Sequence, residues 1–260
     1  MPQVDVGDLN VHYLEQGSGT PLILVHGNTS SSVWWEYTMA RLGDDYHIIA
    51  PDLRGRGDTE GPAADWTVET LAEDLHGLLD AIGIAEAHFV GHSLGSNVVL
   101  QFALDHKSRV SSMLLLNPGW VAGDMPSEIG DMARVQAMVA DKSLMKMALR
   151  GIAAFHPENE AWDRLVAASL KQKDEASLRG IPALQGWVIV DRLNELAGIP
   201  TLVVRGEGDS YLATEAVAMK IVENLPGAGY ATIPGASHSP NVETPDAFVA
   251  ILREHLANAE

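Results

Sequence analysis

Ala87-His88-Phe89-Val90-Gly91-His92-Ser93-Leu94-Gly95 runs from a short apolar segment straight into helical spacing over Val98–Leu104, with no room for a loop between them. Ala87–Val90 predicts a buried strand, and Gly91–Gly95 reads G-x-S-x-G. A strand-to-helix turn this tight strains the backbone at the serine. Small residues two positions to either side let the turn pack, and the serine Oγ then projects above the sheet edge. The new helix also aims its first N–H groups at that point. Ser93 is therefore a candidate nucleophile, provided the rest of the chain supplies a base.

Outward from the turn, strands and helices alternate. Asn10–Gln16 alternates apolar and polar side chains and predicts an antiparallel first strand. Leu22–Val25, His47–Ala50 and Val110–Leu116 read as buried strands. In Thr67–Ile82 the residues Val68, Leu71, Leu75, Leu78, Leu79 and Ile82 share one helical face. After residue 194 the rhythm resumes with strands at Thr201–Arg205 and Tyr230–Ile233 and helices at Thr214–Asn224 and Thr244–Leu256. Continuous apolar strands alternating with helices imply an α/β fold: a doubly wound, mostly parallel sheet, here expected to have eight strands.

The rhythm breaks near Trp120. Residues 120–194 read as helical, with Met125, Met132, Met138, Met145 and Met147 and with Pro and Gly breaks. About 70 residues exceed what one crossover needs. The segment is expected to be an inserted helical cap over the carboxyl edge of a core built from 1–119 and 195–260.

Charge supports that division. The chain carries a net −18, yet Val121–Val190 holds 8 Lys+Arg against 9 Asp+Glu. The acidity therefore lies almost wholly in the core. A field of that sign repels nucleic acid and anionic lipid surfaces, so neither is an expected partner. The 260 residues include no cysteine, which excludes disulfides and thiol chemistry. No apolar run approaches the ~18 residues of a membrane span, and no Lys or Arg precedes Arg41, as a secretory leader would require. A cytoplasmic protein is expected, and a homodimer is left open.

Four further segments fit the turn. His26-Gly27-Asn28 follows the strand Leu22–Val25, and Asp52-Leu53-Arg54-Gly55-Arg56-Gly57-Asp58 follows the next strand. Gly206-Glu207-Gly208-Asp209 and Gly235-Ala236-Ser237-His238-Ser239-Pro240 each follow a late strand. Together with G-x-S-x-G, these segments resemble, in order, the landmarks of the α/β-hydrolase family, and the resemblance covers essentially the whole chain. It departs at Asp58, where most members carry serine.

The resemblance implies a triad of Ser93, Asp209 and His238, in the order expected of this fold. The chemistry agrees. A hydroxyl needs an adjacent base at neutral pH, and His238 can take and return the proton. Asp209 can fix the tautomer of His238 and stabilise its imidazolium. Asp124 is the rival acid, since some relatives place theirs after the strand ending at Leu116, where this chain has Asn117. The backbone N–H groups of Asn28 and Leu94 are the expected oxyanion hole, each donor typically worth about 3 kcal/mol. Trp120, His92 and Trp34 are candidate substrate contacts. No H-E-x-x-H or clustered carboxylate–histidine spacing occurs, so no metal site and no cofactor are expected.

The activity implied is hydrolysis of a small to medium apolar ester or lactone through an acyl-enzyme. Haloalkane dehalogenases share the His-Gly-Asn loop but use an aspartate nucleophile followed by Trp, and epoxide hydrolases fail on the same nucleophile. Acyl-homoserine lactonases show a similar Asn-then-Ser-rich loop. Carbon–carbon bond hydrolases with the same triad, and small-molecule receptors of this fold that do not turn over, are the alternatives.

Overall fold

In the computed structural model, which describes residues 2–259, eight strands form one sheet. They are β1 (Gln3–Val6), β2 (Leu9–Gln16), β3 (Thr20–Val25), β4 (Tyr46–Pro51), β5 (Ala87–His92), β6 (Val110–Leu116), β7 (Thr201–Gly206) and β8 (Gly229–Ile233). Their order is β1-β2-β4-β3-β5-β6-β7-β8. β2 is antiparallel to β1 and to β4, and every other pairing is parallel. The sheet is the expected one. β1 was not read from the sequence, because it is short and half exposed.

Ten α-helices accompany the sheet among the described residues: α1 (Glu36–Leu42), α2 (Val68–Ala81), α3 (Leu94–Asp105), α4 (Met132–Ala140), α5 (Lys142–Ile152), α6 (Glu160–Ser169), α7 (Asp174–Gly186), α8 (Glu215–Asn224), α9 (Pro240–Glu243) and α10 (Pro245–Ala259). Thr67 starts α2 by accepting the N–H of Thr70. The side-chain alternation of β3 shows how the sheet is covered. Ile23 and Val25 join a core with Leu71, Leu75, Val98 and Phe102 on one face. Leu22 and Leu24 join Trp35, Met39, Phe248 and Leu252 on the other.

Helices α4 to α7 all lie between β6 and β7 in sequence. The chain leaves and re-enters the sheet region at nearly one point. The Val121 carbonyl accepts the N–H groups of Ile189 and Val190 at 2.9 and 3.0 Å, and Ala122 bridges to Val188. A third apolar cluster joins these helices to the core through Trp34, Leu149, Trp162, Leu165 and Val242.

Candidate active site

No residue separates β5 from α3 except Ser93, which sits at φ 51° and ψ −120°. An L-residue pays a steric cost there. The surroundings hold it: the Ser93 N–H donates to the Leu116 carbonyl at 2.9 Å, and Ser96 Oγ donates to the Gly91 carbonyl at 2.7 Å. Gly27 lets the loop after β3 pass against this turn. A Cβ added there would lie 3.0 Å from His92 Nδ1 and 3.1 Å from Ser93 Cβ.

His238 lies in the loop after β8, and its Nδ1 is 2.6 Å from Oδ2 of Asp209, in the loop after β7. A carboxylate only accepts, so Nδ1 carries the proton and Nε2 is the nitrogen left for proton exchange. Asp209 also accepts from Asn117 Nδ2 at 2.8 Å and from the N–H groups of Leu212 and Ala213, both at 3.0 Å. Burial pushes this carboxyl up. The neighbouring His238, the Asn117 amide and the Leu212 N–H outweigh burial and hold it well below the usual carboxylate range. Asp124, the rival acid, instead pairs with Lys220 at 3.4 Å.

Ser93 and His238 line one cavity of about 110 Å³ with Asn28, Trp120, Met145, Ile181 and Leu184. A larger chamber of about 620 Å³ shares Asn28, Met145, Ile181 and His238 and extends past Met147, Phe155 and Tyr211. Met147, Phe155 and Tyr211 are exposed. The lining of both chambers is mainly apolar, and helices α4, α5 and α7 supply much of it.

The other expected contacts divide. Trp120 lines the inner chamber. Leu94 is fully buried and opens α3, whose first N–H groups have no partner within their own helix. His92 lines the cavity, but its Nε2 donates to the His238 carbonyl at 2.7 Å, so it holds the backbone of His238. Burial, then the charge of His238, lowers the His92 pKa to about 3. Trp34 is a correction. It is buried in the third apolar cluster, donates from Nε1 to Ser169 Oγ at 2.8 Å, and lines neither chamber. An apolar side chain just beyond the His-Gly-Asn loop here packs beneath α6 rather than facing the cavity.

Residues that sequence reasoning missed include Asn117 and Arg56. Asn117, directly after β6, sits at φ 43° and accepts the Gly206 N–H at 3.0 Å, which joins the ends of β6 and β7. Its only sequence signal was an amide where a relative's acid stands. His26 ties two loops together. It accepts the Leu53 N–H on Nε2 at 3.0 Å while Nδ1 donates to the Gly27 carbonyl at 2.8 Å, and burial lowers its pKa to about 4.

Two groups of histidine and carboxylate come together among the described residues: Glu73, His76 and His106, and His12, Asp52 and Asp58. Neither lines the cavity. In the first, the imidazoles stack at 3.9 Å and 6°, so their lone pairs run parallel instead of converging on an ion. In the second, Asp52 is already committed to His12 Nδ1 and the N–H groups of Ser32 and Asp58, at 2.7 to 2.9 Å.

The model of the alpha/beta hydrolase family matches residues 22–251. The chain is 29% identical over 249 residues to a putative carbamate hydrolase, RutD, of Klebsiella pneumoniae, covering 92% of each chain. It is 25% identical over 269 residues to a 2-hydroxy-6-oxo-6-phenylhexa-2,4-dienoate hydrolase of Burkholderia cepacia, covering 97% of this chain and 93% of that one. Among solved structures, Est816, described as an N-acyl homoserine lactone degrading enzyme, superposes with a TM-score of 0.81 at 27% identity, covering 97% and 99% of the two chains.

Proposed function

The chain belongs to the alpha/beta hydrolase family, and we propose that it is a serine hydrolase that opens a carboxylic ester or lactone through an acyl-enzyme. The observation that carries this reading is the buried His238–Asp209 contact of 2.6 Å beside a cavity that also contains the strained Ser93. In this reading His238 Nε2 takes the Ser93 proton as Oγ attacks the carbonyl. The same nitrogen then protonates the leaving oxygen. Water, deprotonated by His238, next releases the acid. The N–H groups of Asn28 and Leu94 receive the charge that develops on the carbonyl oxygen.

The two chambers support a substrate that is short on one side of the scissile bond and longer and apolar on the other. Helices α4 to α7 serve as a cap, with 120–194 as the inserted segment and 1–119 with 195–260 as the core. The lactone-degrading likeness of Est816 supports including lactones.

The test is a labelled fluorophosphonate on native and Ser93→Ala protein, followed by ester, lactone, carbamate and dienone panels. Labelling of the native protein alone, with turnover of esters or lactones and a loss of order 10⁶ in the variant, is expected. A Ser93→Ala protein with full activity ends the proposal, and turnover confined to the dienones or carbamates replaces its substrate class.

A further inference from the structure

Arg54 and Arg56 lie two residues apart in the turn after β4 and are handled in opposite ways. Arg54 forms ion pairs with Asp74 at 2.7 Å and Asp8 at 3.1 Å. Arg56 is fully buried, and among the described residues no carboxylate lies within ion-pair distance of it. Its guanidinium rests 5.0 Å over the Trp66 ring and donates only to neutral acceptors. They are Asn28 Oδ1 at 2.6 Å, the Ala176 carbonyl at 3.2 Å, Ser177 Oγ at 3.4 Å and Gln172 Oε1. Its Nε has no partner, and burial pulls its pKa down to about 9.

A buried charge without an opposite charge costs several kcal/mol, which neutral acceptors offset only in part. What these acceptors share is location. Gln172, Ala176 and Ser177 belong to the start of α7 and the residues before it, while Asn28 belongs to the loop that faces Ser93. The two parts also touch directly. A Cβ added at Gly180 of α7 would lie 2.6 Å from Asn28 Oδ1, and the Lys173 N–H donates to the Gly55 carbonyl at 2.8 Å. The planar fork of arginine can hold several acceptors in fixed directions, which a lysine ammonium cannot reproduce.

We propose that Arg56 is a positioning residue whose buried guanidinium fixes the Asn28 side chain, and with it the loop facing Ser93, to the N-terminal half of α7. This inference rests on the serine-hydrolase reading and adds to it. The geometry of the oxyanion loop is set from outside the site, by a cation that also anchors a helix lining the substrate chamber.

The experiment measures fluorophosphonate acylation rates and kcat and KM on an ester that the native protein turns over, in Arg56→Met, Arg56→Lys, Asn28→Ala and the double variant Arg56→Met/Asn28→Ala. Thermal unfolding serves as the control for folding. Displacing a reacting geometry by about 1 Å costs on the order of a hundredfold. Acylation and kcat should therefore fall tenfold to a hundredfold in Arg56→Met and in Asn28→Ala, with KM changed by less than about threefold. The double variant should fall no further than the worse single one, because both break one link. Arg56→Lys should recover part of the loss. Folded Arg56→Met or Asn28→Ala with native acylation rates, or losses that multiply in the double variant, overturn the inference while leaving the serine reading intact. If Arg56→Met does not fold, Arg56→Lys and Asn28→Ala carry the same test. Absence of labelling at Ser93 in the native protein overturns both.

Discussion

Oδ2 of Asp209 accepts from Asn117 Nδ2 at 2.8 Å and from His238 Nδ1 at 2.6 Å, so an amide at the end of β6 and the imidazole converge on one oxygen. Asn117 thus stands one hydrogen bond from the oxygen that holds the histidine. Asp209→Asn should cost about 10⁴ in kcat, as loss of the orienting carboxylate does in other triads. Asn117→Asp added to that background should return at least about tenfold of it, since the carboxylate then stands one hydrogen bond from its former place. Steady-state rates on one ester decide the matter, and a double variant no faster than Asp209→Asn refutes the exchange.

Acid should destabilise the fold through two histidines buried as neutral rings. In the unfolded chain both titrate near 6.5, whereas burial holds His26 to about 4 and His92 to about 3. Between these values the unfolded state binds the extra protons, so stability is full above about pH 6.5 and is lost as pH falls toward 4 and then 3. Each ring contributes a slope of up to about 1.4 kcal/mol per pH unit. Urea unfolding at pH 7, 6 and 5 should show the decline, and His92→Gln should flatten it. Equal midpoints at all three values contradict this account.

Gly95 should tolerate no side chain. A Cβ there would strike the carbonyl oxygens of Val25 and His26, the latter at 2.7 Å. Both belong to backbone beneath the Asn28 loop and cannot swing away as a flexible side chain would. Gly95→Ala is expected to cost about 3 kcal/mol or more of stability and most of the activity. An urea midpoint within error of the native one would be the contrary result.

Trp34 should matter to stability and not to substrate. Trp34→Phe removes the Nε1 donor to Ser169 and trims a ring packed at 6.4 Å against Trp162. A loss of about 1–2 kcal/mol is expected, with kcat and KM on short esters within about twofold of native. A large rise in KM without loss of stability would return Trp34 to the substrate site.

The sheet was legible because its strands are continuous apolar runs that only a doubly covered sheet can bury. Ser93 was legible because a strand and a helix meet there with nothing between them. What escaped depends on contacts between distant segments. Trp34 and Trp120 are the same residue type, each shortly beyond a strand end, and the packing of α6 over Trp34 is what keeps it out of the cavity. Arg56 looks like a surface charge in its Gly-Arg-Gly turn, and its burial is imposed by residues more than a hundred positions later. β1 carries too few apolar side chains to announce itself.

The His12–Asp52 contact ties the first hairpin to the loops of the candidate site, although the family match begins only at residue 22. Asp52 pins the backbone at Ser32, just beyond Asn28, and at Asp58, just beyond Arg56, and His12 of β2 holds Asp52 in turn. A protein trimmed to begin at residue 19 would keep all three members of the proposed proton relay. It would also bare the open flank of β4, a ready template for self-association. Such a fragment should sediment as aggregates and hydrolyse poorly.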